Sequence, residues 1–173
     1  MLNIAEQKRE IRTRLIQQRK TLGETACAEK SCAIEKRVLA SSAFISANMI
    51  QFYISTGFEV KTDRLIKQAL RLGKRVVVPV SSKEQSAEVV PPTEEVDLWI
   101  LPAVACDTMG HRLGRGGGYY DRLLVGCVGK ILCIAFEFQI VESLPVEETD
   151  RNVDMIITED RMIICGVNKN ETN

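Results

Sequence analysis

Apolar residues recur at helical intervals through the first 40 positions and gather into short unbroken runs after them. In "IAEQKREIRTRLIQQRKTL", Ile4, Ile11, Leu15 and Leu22 lie at multiples of the helical repeat, which predicts an amphipathic helix ending near Gly23. "ETACAEKSCAIEKRVLAS" repeats the pattern with Cys27, Ala33, Ile34 and Val38. The apolar "NMIQFYI" (48–54) is followed by the turn residues "STG". Thr62 then offers an N-cap to "DRLIKQALRL", and Gly73 stops that helix. Four more strands are predicted in "KRVVVPV", "VDLWILP", "KILCIAF" and "VDMIITE". Continuous apolar runs of this kind suit parallel strands covered on both faces. Strands alternating with helices predict one α/β domain over residues 1–173, a three-layer α/β/α sandwich with a mostly parallel, doubly wound, Rossmann-like sheet. The polar "SSKEQSAEVVPPTEEV" (81–96) reads as a surface connection, and the chain contains no internal repeat or interdomain linker.

Composition narrows the class. Hydrophobic residues make up 45% and charged residues 27%, enough to bury an ordinary interior. The 23 basic and 23 acidic side chains cancel, which argues against a generic nucleic-acid or anionic-membrane binder. An anionic ligand must therefore be held locally. The basic N-terminal stretch, with Lys8, Arg9, Arg12, Arg14, Arg19 and Lys20 against Glu6 and Glu10, is the one region that favours it. Six cysteines form no CxxC pair and His111 is the only histidine, so neither a zinc site nor a redox motif is spelled out, and reduced, mostly buried thiols are expected. Met1 leads into a charged stretch and no apolar run approaches the ~18 residues of a membrane span. These features predict a cytoplasmic protein, taken as a monomer, with no nucleic-acid or membrane partner.

Candidate chemistry concentrates in "GRGGGYYD" (114–121), four glycines in five positions followed by two tyrosines and an acid. The stretch follows the predicted strand at 97–102 and precedes the short helical run "YYDRLL", at a carboxyl end of the sheet where ligands of open α/β folds collect. Glycines let successive amides turn inward as an anion-binding nest, with no Cβ to hold phosphate oxygens away. The run is neither a P-loop, because the Lys-Ser/Thr pair is missing, nor a dinucleotide turn, because Tyr119 stands where the third glycine belongs. Lys8 and Arg12, four apart, share one helix face that either reaches a triphosphate or forms a solvated basic stripe. His111 reads as a loop residue and Trp99 as core.

"LPAVACDTMGHRLGRGGGYYDRLL" resembles the signature of the 5-formyltetrahydrofolate cyclo-ligase (5,10-methenyltetrahydrofolate synthetase) family. "KREIR", "ISTGFEVKT" and "FEFQIVESLPVEETDRNVDMIITE" extend the resemblance in order over most of the chain. The resemblance implies an ATP- and Mg2+-dependent ligase closing 5-formyltetrahydrofolate to 5,10-methenyltetrahydrofolate, with release of ADP and phosphate. It assigns Lys8, Arg9 and Arg12 to ATP, and Arg112, Gly114, Arg115, Gly116, Gly117, Gly118, Tyr119 and Tyr120 to its phosphates. The folate falls to Ile54, Glu59 and the stretch from Arg115 to Tyr119, catalysis to Arg115 and Tyr119, and magnesium to Asp121 and Asp150. The individual residues also have plain structural readings: Tyr119 and Tyr120 as packing, Asp121 as a first-turn acid, Asp150 as a turn former, Glu59 as a loop acid. The chain departs from the family pattern between Pro79 and Asp97, which is shorter than usual, and at Thr149, where relatives often have histidine. A shortened folate wall leaves a binding protein without turnover as the alternative to an enzyme.

Overall fold

The computed structural model describes residues 3–79, 93–147 and 150–166. Helix α1 (Ile4–Lys20) begins with a capping box: Glu6 N–H donates to Asn3 Oδ1 at 2.9 Å, and Asn3 N–H donates to Glu6 Oε2 at 3.0 Å. Gly23, at φ +78°, turns the chain into α2 (Glu24–Ala40). A single-turn helix α3 (Ser42–Ser46) follows, its first turn capped by Ser41. The remaining elements are β1 (Met49–Gln51), α4 (Asp63–Arg71), β2 (Arg75–Val77), β3 (Leu98–Pro102), β4 (Ala105–Cys106), β5 (Arg112–Leu113), α5 (Tyr119–Leu123), β6 (Lys130–Ile134), a 3-10 turn at Glu137–Gln139, β7 (Met155–Ile157) and β8 (Met162–Ile164).

Six strands form one sheet in the order β2-β1-β3-β6-β7-β8, parallel except for the antiparallel edge pair β7–β8. Alternation along the central strands divides the interior. Leu98, Ile100, Leu132 and Ile134 pack on one face against Ile34 and Val38 of α2, Phe44 of α3 and Leu65 of α4. Trp99, Leu101, Ile131 and Cys133 pack on the other against Leu123 of α5, Leu124 and Cys127. The expected doubly wound arrangement is therefore present, with α5 and loop segments forming the second layer among the described residues. Helix α1 lies across the carboxyl end of the sheet, where Leu15 joins Val104, Ala105, Leu113 and Leu144 in a separate apolar cluster.

Some local expectations need correction. The Thr62 hydroxyl does not cap α4; it donates to the Tyr53 carbonyl at 2.8 Å and accepts from Ser55 N–H, tying down the loop after β1. The signature region expected to be loop contains the β4–β5 hairpin, and the edge strand β8 follows the five expected strands. His111 lies at that hairpin's turn, its Nδ1 2.8 Å from Asp107 Oδ2, which anchors the ring to the hairpin. Trp99 is fully buried as expected. All six cysteines are free, and Cys27, Cys106, Cys127 and Cys133 are buried. Most of the predicted 81–96 connection and Thr149 lie outside the described residues.

Candidate active site

From β1 the chain runs outward to β2 and returns on the other side of β1 as β3, so the strand order reverses between β1 and β3. Carboxyl ends of strands that diverge in this way leave a crevice. Here it is a cleft of about 1050 Å³, floored by Pro102, Ala103 and Val104 and walled by the loop after β1, the face of α1 and the glycine loop between β5 and α5. The β1 loop is rigid for local reasons: besides the Thr62 contacts, the buried Tyr53 hydroxyl donates to the Val60 carbonyl at 2.7 Å. That loop presents the exposed side chain of Ile54 and the buried carboxylate of Glu59 to the cleft.

The glycine loop is held from outside by guanidinium groups. Arg12 Nε donates to the Gly114 carbonyl at 2.9 Å, and Arg122 Nη1 donates to the Gly117 carbonyl at 2.9 Å. Arg115 reaches across the cleft to the β1 loop, where Nη2 donates to Thr56 Oγ1 and Glu59 Oε1, each at 2.6 Å. The other Glu59 oxygen accepts from Thr56 N–H at 2.9 Å. Arg112 is buried beneath the loop; its Nη2 donates to Asp121 Oδ1 at 3.0 Å and its guanidinium lies 5.5 Å from the Tyr120 ring centroid. Gly116 (φ +101°) and Gly118 (φ +62°) take backbone conformations that side chains disfavour, and among the described residues no acceptor meets the N–H of Gly116, Gly117 or Gly118. Tyr119 and Tyr120 pack edge to face, with centroids 5.0 Å apart.

At the far end, buried Lys8 donates to Glu147 Oε2 at 2.8 Å and to Asp150 Oδ2 at 2.6 Å. Burial opposes the ammonium charge, but the hydrogen bonds it donates to Asp150 and Glu147, with their negative charge, outweigh that and raise the Lys8 pKa. Burial likewise works against the Asp150 carboxylate, yet Lys8 and the Glu147 N–H hold its pKa below the usual value. Asp121 and Asp150 each meet their cation through one oxygen, and among the described residues no hydrogen-bonding partner occupies the other. Among the described residues no group of three or more His, Cys, Asp or Glu side chains converges as a metal cage. Such a donor set fits magnesium, which is ordinarily held by one or two carboxylates together with phosphate oxygens and water.

Of the residues expected from sequence, Lys8, Arg12, Ile54, Glu59, Arg112, Gly114 to Tyr120, Asp121 and Asp150 all line this one cleft. Arg9 does not; it is exposed on α1, away from the lining. The lining also contains Thr56, Pro79, Arg122, Val125 and Glu147, none of them expected. Only Arg122 carried a readable signal, a cation four residues after the last loop glycine and so one helical turn from it.

The model of the 5-formyltetrahydrofolate cyclo-ligase family matches residues 4–91 and 81–159, most of the chain. The chain belongs to the 5-formyltetrahydrofolate cyclo-ligase family. By membership it is an ATP-dependent ligase of folate and one-carbon metabolism. Among cyclo-ligase relatives, it is 30% identical to the 5-formyltetrahydrofolate cyclo-ligase of Escherichia coli over 82% of this chain and 94% of the relative. It is 28% identical to that of Mus musculus, over 88% and 94%. The solved structure of 5,10-methenyltetrahydrofolate synthetase from Aquifex aeolicus superposes with a TM-score of 0.80 at 26% identity, covering 96% of each chain. Among the described residues of this cyclo-ligase, no helix is long and apolar enough to cross a membrane.

Proposed function

We propose that the cleft closes 5-formyltetrahydrofolate to 5,10-methenyltetrahydrofolate at the expense of ATP. The observation that carries this reading is the division of one cleft into two chemically different halves. One half has bare glycine amides with Lys8, Arg12 and Arg112, suited to a triphosphate; the other has the buried acceptor Glu59 beside apolar Ile54, suited to the N–H donors and flat face of a pterin. Arg115, rooted in the first half and bonded to Glu59 in the second, stands at the junction where a phosphoryl group would pass.

The N5-formyl group is an amide, so its carbon is a poor electrophile and its oxygen a poor leaving group. Transfer of the γ-phosphoryl group to the formyl oxygen forms the O–P bond, breaks the bond to ADP and leaves an iminium phosphate. N10 then attacks the activated carbon and loses its proton, and the C–O bond breaks with release of phosphate, giving the methenyl bridge. The protein's part is positioning and charge stabilisation. Loop amides and Arg115 oppose the charge on the transferring group, and Tyr119 lies beside it in the lining. Asp121 and Asp150 would hold magnesium, which neutralises phosphate charge when bound.

The test mixes protein, Mg-ATP and 5-formyltetrahydrofolate and follows the near-ultraviolet absorption of the methenyl product. The signal should require ATP, and Arg115→Ala should lose most of it. A wild-type protein that binds both substrates without forming product would instead support the binding-protein reading. Pro79 gives that reading its footing, because it lines the cleft and the stretch of sequence that is shorter than the family pattern begins at it. No product, together with unaltered ATP affinity in Arg115→Ala, would overturn both the activity and the site.

A further inference from the structure

We infer that Arg122 is a positioning residue for the glycine loop, setting the direction of its amides by gripping a carbonyl. Its Nη1 donates to the Gly117 carbonyl at 2.9 Å, while its own N–H donates to the Gly118 carbonyl at 3.1 Å, so backbone and side chain of one residue hold two successive carbonyls at one end of the loop. Side chains on a helix lean toward its N-terminus, which carries the guanidinium back over Gly118. A Cβ at Gly118, where the φ of +62° already favours glycine, would lie 2.9 Å from Nη1 and would move that flexible guanidinium off the Gly117 carbonyl. In a trans peptide unit the C=O and the following N–H point in opposite directions. Holding the Gly117 oxygen against Arg122 therefore fixes the Gly118 N–H on the opposite side. Arg12 does the same at the other end, where its bond to the Gly114 oxygen fixes the Arg115 N–H. The loop amides are thus set before any ligand arrives, a preorganisation that glycines alone do not supply.

This inference rests on the reading that the loop holds the ATP phosphates, and the experiment separates the two. Amide exchange of residues 115–118 is followed by NMR with and without Mg-ATP in wild type, Arg122→Ala and Arg122→Lys, alongside KM for each substrate and the melting temperature. In Arg122→Ala, loss of the bond should raise KM for ATP roughly tenfold. Mg-ATP should slow exchange of the loop amides less in Arg122→Ala than in the wild type, KM for 5-formyltetrahydrofolate and the melting temperature should hold, and Arg122→Lys, which keeps a donor, should fall between. Equal slowing by Mg-ATP in Arg122→Ala and the wild type, or an equal rise in both KM values with a lower melting temperature, would overturn the inference alone. If Mg-ATP fails to slow exchange of these amides in the wild type, the phosphate reading falls and takes this inference with it.

Discussion

Lys8 shows how a buried charge is kept. With only 7% of its surface exposed it should favour the neutral amine, yet Asp150 and Glu147 reverse the balance. The consequences for stability have opposite signs at the two ends of the pH scale. The raised Lys8 pKa means that its contribution is complete below the ordinary lysine value of 10.5 and fades as pH rises through the folded value. The lowered Asp150 pKa means that its contribution is complete above 3.8 and is lost as pH falls through the folded value beneath that. Asp150→Asn should cost about 2 kcal/mol at neutral pH, as for a hydrogen bond to a charged group. Below the ordinary carboxylate range its stability should fall less steeply than that of the wild type. Urea unfolding midpoints across pH measure both effects, and parallel profiles for the two proteins would mean that the Lys8–Asp150 pair does not form in solution.

Glycines divide by the element they serve. A Cβ on Gly129 would lie 2.0 Å from the Val96 carbonyl oxygen and 2.9 Å from the Asp97 carbonyl, where β6 begins its parallel pairing with β3. Gly129→Ala must push the two central strands apart and should cost about 3 kcal/mol in denaturant unfolding, the upper range for overpacking. At Gly117 a Cβ meets nothing within 4 Å and φ is not positive. Gly117→Ala should leave stability within about 0.5 kcal/mol of wild type and, if the loop holds phosphate, raise KM for ATP; an unchanged KM would remove Gly117 from the site. From the sequence Gly117 stands out within "GRGGGYY", whereas nothing marks Gly129 in "CVGKIL". This marks the limit of what was legible. The central strands and long helices announced themselves because burial on one or both faces forces a periodic or unbroken apolar pattern, and the glycine loop announced itself by composition. The three-residue edge strand β8 and the two-residue strands of the β4–β5 hairpin are too short to carry a period. The partners of Thr62 and Lys8 depend on side-chain direction after folding, which spacing along the chain does not encode.

Across the whole molecule, the site joins parts that fold for different reasons. The β1 and glycine loops hang from the central sheet, but Lys8 and Arg12 come from α1, which is seated through Leu15 on Val104, Ala105, Leu113 and Leu144 and does not contribute to either large apolar cluster. These two cations of the cleft are therefore positioned by a small apolar contact whose helix side, Leu15, does not line the cleft. Leu15 and Ile34 are both buried aliphatic residues in long helices, 3% and 0% exposed, and truncation of either should cost about 3 kcal/mol. Their functional effects should differ. Leu15→Ala loosens the helix that carries Lys8 and Arg12, so KM for ATP should rise severalfold at a temperature where the protein remains folded. Ile34→Ala leaves a cavity between α2 and the sheet, away from the cleft lining, and should lose comparable stability with little change in that KM. Equal KM values in the two variants would show that α1 is held over the cleft by its polar contacts to Gly114, Glu147 and Asp150 rather than by Leu15.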